Sequence, residues 1–175
     1  MAPGGGSVVA LTVAFASRLI AMAARSSREW EDGPGVAAQA NAISDRATAL
    51  AHADGRAWDE ALAALDAAGS GEAEDPRRDF ALEQKLEAAA AAPLEIASLG
   101  ADATALAAVA AEHGDARYRP DVAAAAALAS GGATAAAHLV RVNLGVRHAD
   151  PRLAHARSSE EAAGEIAFRL LAHDA

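Results

Sequence analysis

Alanine supplies most of the apolar content of this chain and limits the folds that are open to it. Of the 175 residues, 53% are hydrophobic but only 3% are aromatic. Alanine is the strongest helix former, and small side chains let helices pack closely. Residues that favour β-strands are few, and they form no alternating run. The composition therefore predicts an all-α fold, and the length suits one domain over residues 1–175.

The charge balance and the missing residue types exclude several classes of function. The chain has 15 basic and 24 acidic residues and a formal net charge of −9, which would repel nucleic-acid phosphates and anionic lipids. It has no cysteine, so disulfides and thiolate chemistry are excluded. Its six histidines lack partners at ligand spacing. We therefore expect no nucleic-acid partner, no membrane association and no metal.

A run of glycines leads into the most apolar segment of the chain. Gly4, Gly5 and Gly6 precede Ser7, which is a favoured N-cap residue. The pattern predicts a loop capped into a helix that runs to about Glu31. The free N–H groups at the start of that helix could hold an anionic or carbonyl ligand, or the stretch could be an ordinary helix start.

The body of this first helix, from Leu11 to Ala24, has almost no polar face. Such a helix lies at the centre of a bundle or at a subunit interface. Because no basic residue precedes the segment and Arg18 interrupts it, we expect neither a signal peptide nor a membrane span. A cytoplasmic protein is the expectation that follows.

Apolar spacing and turn residues predict five to seven helices in all. Pro93 is expected to kink or divide the third helix, and Gly131-Gly132 marks either a break or a close helix contact. A loop is predicted over residues 69–76. Ser158 and Glu161 have the spacing of a capping box at the start of the last helix. The predicted helices after the first are 36–68, 76–92, 94–113, 122–144 and one that ends at Leu171.

Four polar residues lie within otherwise apolar helices: Asp54, Asp121, Arg141 and Asn143. A buried carboxylate, guanidinium or amide must be hydrogen-bonded, because leaving it unpaired costs several kcal/mol. Each residue also has a simple structural explanation. Asp121 would be an N-cap, Asp54 a solvent-facing residue, Arg141 the partner of a carboxylate, and Asn143 an amide satisfied by nearby backbone.

Five short motifs follow one another along the chain. They are Pro-Gly-Gly-Gly-Ser-Val-Val-Ala-Leu at residues 3–11, Asp54-x-x-Ala57-Trp58, Ala92-Pro93-Leu94, Asp121 seven residues after Gly114, and Val140-Arg141-Val142-Asn143-Leu144. In content and order they resemble the formiminotransferase-cyclodeaminase / methenyltetrahydrofolate cyclohydrolase family, whose opening reads Pro-Gly-Gly-Gly-Ser-x-x-Ala. The resemblance extends over nearly the whole chain.

This resemblance implies an all-helical domain that forms a homodimer and binds a tetrahydrofolate derivative between its helices. The reaction it implies is either ammonia release from 5-formiminotetrahydrofolate with ring closure, or interconversion of 5,10-methenyl- and 10-formyltetrahydrofolate. It implies no cofactor beyond the tetrahydrofolate substrate. Asp121 and Asp54 would be carboxylates near the reacting centre or the pterin ring. Arg141 and Asn143 would orient the substrate, and the loop from Gly4 through Gly5 and Gly6 to Ser7 would cover the pocket.

Three positions depart from the family pattern. Asp115 stands where asparagine is common, Pro120 replaces a serine, and Leu139 replaces an asparagine. Exchanging an amide for leucine removes both a donor and an acceptor. A second hypothesis is therefore a non-catalytic helical dimer that keeps the fold and binds a folate-like ligand or serves only as an interaction module. An unrelated helical module would leave the ordered motifs unexplained.

Overall fold

The polypeptide follows an all-α path, as the composition predicts. The computed structural model describes residues 4–69, 76–145 and 149–173, and within these ranges it contains six α-helices, one 3-10 turn at Ala116–Tyr118, and no β-strand. The α-helices are α1 (Gly5–Ser26), α2 (Gly33–Gly69), α3 (Pro76–Ala89), α4 (Ala91–His113), α5 (Arg119–Leu144) and α6 (Pro151–His173).

Helix α1 lies inside the bundle, in contact with α2, α4 and α5, and α6 packs on α4 and α5. In the apolar middle of α1, Phe15 and Met22 are exposed, so contacts within one chain account for only part of it. Val13 and Ile20 of the same segment are fully buried. Alanines make up most of the core around them. Because alanine projects only a methyl group, adjacent helices approach closely, and a few larger side chains fill the remaining space.

Two glycines mark close contacts of α5 with α4 and with α1. A Cβ on Gly100 of α4 would lie 2.8 Å from the carbonyl oxygen of Ala129 on α5, and a Cβ on Gly132 of α5 would lie 2.6 Å from Cγ2 of Val13 on α1. Helix α5 runs without interruption through this region. Of the two possibilities for Gly131-Gly132, the structure therefore shows a close contact, made by Gly132, and no break.

Several predicted helix boundaries are wrong. The first helix ends at Ser26, where Ser27 donates its backbone N–H to the carbonyls of Ala23 and Ala24. The helix predicted around Pro93 is divided at Ala90, between α3 and α4. Pro93 lies in the first turn of α4, where a backbone N–H would have no partner within the helix, so proline is tolerated there. Residues 70–75 of the predicted loop lie outside the described ranges.

The predicted capping box at the last helix is also wrong. Helix α6 begins at Pro151, which places Ser158 and Glu161 in its interior. The start of α6 is instead marked by Asp150, whose Oδ1 accepts the backbone N–H of Arg152 at 2.9 Å. Proline is favoured in the first turn of a helix, and the Asp-Pro pair was the better sequence signal for this boundary.

Within the described ranges, three helical segments are long and apolar enough to cross a membrane by length and composition alone: Gly5–Ser26, Glu83–His113 and Ala116–Leu144. Arg18 does not by itself remove the first of them from that class. In the bundle, between 50% and 56% of the most apolar window of each segment is buried against other helices. Their apolar content is therefore used, in large part, for contacts within the bundle.

Candidate functional site

The start of α1 is built from glycine and held by a side chain of α2. Gly4 is the N-cap residue, so the prediction that Ser7 caps the helix is wrong; Ser7 lies in the first turn. The Ser7 hydroxyl is buried and donates to the carbonyl oxygen of Ala51 on α2 at 2.8 Å. This bond fixes the first turn of α1 against α2.

Asp54 of α2 faces this turn. Only 8% of the residue is exposed, so the interpretation of Asp54 as a solvent-facing residue is wrong. Oδ2 of Asp54 lies 3.4 Å from Oγ of Ser7, and the backbone N–H of Ser7 also donates to the carboxyl. A carboxylate placed against free N–H groups at the positive end of a helix is stabilised there. Asp54 thus caps α1 from a neighbouring helix.

Two opposing effects act on the proton of Asp54. Burial raises the pKa of this carboxyl above its ordinary value, because the charged form loses solvation. The hydrogen bonds from the side chain and backbone of Ser7 lower the pKa but do not cancel the effect of burial. A carboxyl that takes up a proton more readily than usual is suited to proton transfer.

Each glycine before Ser7 has a different environment. A Cβ on Gly6 would overlap the Asp54 carboxyl, and a Cβ on Gly4 would touch Cδ1 of Trp58 at 3.6 Å. A Cβ on Gly5 would meet nothing within 4 Å. The close approach of α1 and α2 therefore requires glycine at position 6, whereas position 5 has room for a side chain.

A cavity of about 110 Å³ opens beside these residues. It is lined by the carboxyl of Asp54, the amide of Asn143 and the ring of Trp58, together with glycines and aliphatic side chains. Trp58 is 40% exposed. Asn143 donates its Nδ2 to the carbonyl oxygen of Ala89 at 3.0 Å, which ties α5 to the end of α3. Its predicted satisfaction by nearby backbone is confirmed. The full lining is Gly5, Gly6, Asp54, Trp58, Ala89, Pro93, Leu139, Val142 and Asn143.

The structure brings the glycine loop, Ser7, Asp54 and Asn143 together, but it places Arg141 elsewhere. The guanidinium of Arg141 pairs with Glu160 of α6 at 2.9 Å, so its interpretation as the partner of a carboxylate is confirmed. It borders a separate open cleft of about 570 Å³ between α5 and α6. The role of Arg141 in orienting a substrate stays a prediction.

Asp121 is also remote from the cavity within one chain. It is exposed in the first turn of α5, whose N-cap is Tyr118, so the N-cap interpretation of Asp121 is wrong. With a rise of about 1.5 Å per residue, it lies roughly 33 Å along the helix from Asn143. A negative charge in the first turn stabilises the helix. Any catalytic role of Asp121 stays a prediction.

Sequence reasoning did not assign Trp58, Pro93, Leu139 or Val142 to the site. Two of them could have been found from their spacing. Trp58 follows Asp54 by four residues and Leu139 precedes Asn143 by four, so the members of each pair share a helix face. No group of three or more potential metal ligands occurs among residues 4–69, 76–145 and 149–173. The cavity offers a metal one carboxylate and an amide.

The sequence is similar to that of a known protein family. The family model described as formiminotransferase-cyclodeaminase matches residues 1–162. The chain belongs to the formiminotransferase-cyclodeaminase family. Its fold is similar to the crystal structure of formiminotetrahydrofolate cyclodeaminase from Thermotoga maritima, with a TM-score of 0.77 and 22% sequence identity, covering 98% of this chain and 88% of that chain. No functionally curated protein matches the sequence. The cavity beside Asp54 thus lies in a helical domain that has the fold of this family.

Proposed function

We propose that this protein is a one-carbon tetrahydrofolate enzyme of the formiminotetrahydrofolate cyclodeaminase or methenyltetrahydrofolate cyclohydrolase type. The observation that carries the proposal is the placement of Asp54. Among the described residues that line the cavity it is the one ionisable group, and it is held at the start of α1 by Ser7. Family membership directs the choice of substrate toward a reduced folate.

In the deaminating reaction, N10 of the folate attacks the protonated formimino carbon and a C–N bond forms. The bond from that carbon to the terminal nitrogen then breaks, which leaves the 5,10-methenyl cation and ammonia. Between these two steps one proton must leave N10 and one must reach the departing nitrogen. Asp54 would accept the first proton and donate it to the second site, which a single carboxyl close to the reacting carbon can do.

In the hydrolytic reaction, water adds to the cationic carbon between N5 and N10, and Asp54, in its ionised form, would take one proton from that water while its charge stabilises the cationic substrate. The bond from that carbon to N5 then breaks as the proton of the new hydroxyl moves to N5, which leaves the 10-formyl compound, and Asp54 releases its proton to solvent. Both reactions thus use the same carboxyl and need no cofactor beyond the tetrahydrofolate substrate.

The dimensions of the cavity limit which part of the ligand can enter. Pockets that enclose a drug-sized ligand have volumes of about 300–1,000 Å³, against about 110 Å³ here. We therefore place only the reacting end of the folate beside Asp54, with a planar ring against the exposed face of Trp58. Aromatic side chains favour stacked or edge-to-face contact with such rings.

We further propose a homodimer, which would enlarge the site from outside. Val8, Phe15 and Met22 are exposed at seven-residue spacing on α1, and Leu128 and Val142 are exposed on α5, which packs against α1. This spacing places the three α1 residues along one stripe of the helix. Since Val142 also lines the cavity, a second copy seated on this apolar face would border the folate.

The second candidate is a folate-binding helical dimer without catalysis, and the position of Leu139 on the cavity wall favours it. An aliphatic wall offers no hydrogen bond to the polar edge of a pterin ring. One pair of assays separates the candidates. The purified protein is mixed with 5-formiminotetrahydrofolate or with 5,10-methenyltetrahydrofolate, and the near-UV absorbance of the methenyl compound is followed.

An enzyme would accelerate the rise of this absorbance in the first mixture or its loss in the second. No acceleration over buffer in either mixture would overturn the catalytic proposal. A rise in melting temperature with a folate, without turnover, would instead favour the binding protein, because a ligand that prefers the native state stabilises it by mass action.

A further inference from the structure

Leu139 of α5 is an aliphatic residue on the wall of a cavity whose one ionisable lining residue is Asp54. We infer that Leu139 keeps water away from the Asp54 carboxyl and so sets the pH range over which that carboxyl gives up its proton. Leu139 is therefore a positioning residue, since it would act through Asp54. The consequence for catalysis rests on the proposed function, whereas the effect on the carboxyl does not.

The composition of the cavity wall supports this assignment. Helix α1 contributes Gly5 and Gly6, and the α3–α4 junction contributes Ala89 and Pro93. From α5 come Leu139, Val142 and Asn143. Val142 is mostly exposed, whereas Leu139 is half-buried. Two of these three α5 side chains are aliphatic, and Nδ2 of Asn143 donates to Ala89, so Leu139 is the more buried hydrocarbon group on the α5 side of the cavity.

Among the described residues, charged and titratable side chains near the cavity are directed to solvent or to partners outside it. Burial raises the pKa of Asp54, and two hydrogen bonds from Ser7 act in the opposite direction. The described groups closest in sequence to the cavity lining are exposed or paired. They are His52, Arg56 and Asp59 on α2, Glu87 with Arg152, Glu95 with Arg46, His138 on α5, and Arg141 with Glu160.

The degree of solvation of the Asp54 carboxyl should therefore determine how readily it ionises. A hydrocarbon wall next to a carboxyl penalises the ionised form, because neither the wall nor excluded water can solvate the charge. An amide in place of Leu139 would offer N–H donors and admit water, both of which favour the ionised form. The Leu139→Asn substitution should then make Asp54 more acidic, without any change in its contacts with Ser7.

The test is a ¹³C NMR titration of the Asp54 side-chain carboxyl, assigned by its absence in Asp54→Asn. The control is Leu171→Asn, which makes the same substitution on an exposed position of α6 that does not line the cavity. We expect the midpoint of Asp54 to fall in Leu139→Asn and to stay at the wild-type value in Leu171→Asn. Equal midpoints in the wild type and Leu139→Asn, with both proteins folded by circular dichroism, would overturn the inference.

A second variant, Leu139→Ala, removes the wall without adding a polar group and keeps the inference testable if Leu139→Asn fails to fold. Its Asp54 midpoint should also fall, since water gains access, and an unchanged midpoint would contradict the inference. If the protein turns over a folate, the acid limb of its pH–rate profile should move in the same direction. Because the titration needs no folate, it decides the inference even if no turnover is found.

Discussion

The Asp54 carboxyl occupies the space that a side chain on Gly6 would need. A residue in the first turn of α1 and a residue in the middle of α2 therefore depend on each other. The glycine lets the two helices approach, and the aspartate in return accepts the backbone N–H of Ser7 in the first turn of α1. Gly5 and Gly6 thus form part of the wall of the cavity that carries the acid.

This relationship predicts that Gly6→Ala damages the site and that Gly35→Ala, at the exposed start of α2, does not. A methyl group at position 6 would overlap Asp54 and push its carboxyl away from Ser7, whereas one at position 35 meets nothing within 4 Å. We expect Gly6→Ala to lose folate binding or turnover by about tenfold or more, because a displacement of about 1 Å can cost 100-fold. Titration calorimetry with a folate measures this, and equal affinities in the two variants would contradict it.

The packing of α5 on α1 predicts opposite effects on stability at two neighbouring glycines. Gly131→Ala should stabilise the protein by about 0.5–1 kcal/mol, since its Cβ meets nothing within 4 Å and alanine is the better helix former. Gly132→Ala should destabilise it by about 1–3 kcal/mol, because the new methyl group would overlap Val13. Urea unfolding measures the free energy of unfolding of both variants. If both substitutions changed it in the same direction, the contact between Gly132 and Val13 would be looser than described.

Asp115 predicts a change of stability in acid. Hydrogen bonds from Arg117 lower the pKa of this carboxyl from 3.8 to about 2 in the folded protein. A depressed pKa stabilises the native state above the unfolded value, and this stabilisation is lost as the pH falls from about 4 to about 2. Asp115→Asn keeps a side-chain acceptor for the Arg117 backbone but removes the charge.

We therefore expect the melting temperature of the wild type to exceed that of Asp115→Asn at pH 5, and the difference to shrink between pH 4 and pH 2. Calorimetric melting at a series of pH values measures it. A difference that stays constant across this range would mean that the carboxyl of Asp115 titrates normally.

The proposed dimer predicts that a charge on the α1 face separates the subunits. Phe15 is 69% exposed on that face, and Phe168 of α6 is 73% exposed away from it. Phe15→Glu should give a monomer by sedimentation velocity, since burying an unpaired carboxylate is costly, while Phe168→Glu should keep the wild-type state. A wild-type monomer at the concentrations of the assay, or an unaltered Phe15→Glu dimer, would argue against this interface.

The helical class could be predicted from composition, because an alanine-rich chain with few aromatic residues has hardly any other way to bury apolar surface. The helix ends were harder. The connector after α1 has no proline before Pro34, so local signals did not reveal where α1 ends. The Trp30 ring lies against His113, and Ser27 accepts the backbone N–H of Asp115. Packing on the C-terminal end of α4 therefore sets the end of α1.

The site could be predicted only in part, because the motifs do not say which way each side chain points. Gly4 to Ser7, Asp54 and Asn143 are drawn together as the ordered motifs imply, but Arg141 points to α6 and Asp121 lies at the other end of α5. Motifs show which residues belong to a family. Only the direction in which a helix presents its side chains separates Asn143 from Arg141, two residues away on the same helix.

The most direct test of the central claim is the initial rate of methenyltetrahydrofolate formation or loss in the wild type, Asp54→Asn and Asp121→Asn. Asparagine keeps the shape of the side chain and removes its ability to carry a proton. The placement of Asp54 in the cavity predicts a loss of about 100-fold or more in Asp54→Asn and a near wild-type rate in Asp121→Asn. A wild-type rate in Asp54→Asn would contradict the assignment of Asp54 as the catalytic carboxyl.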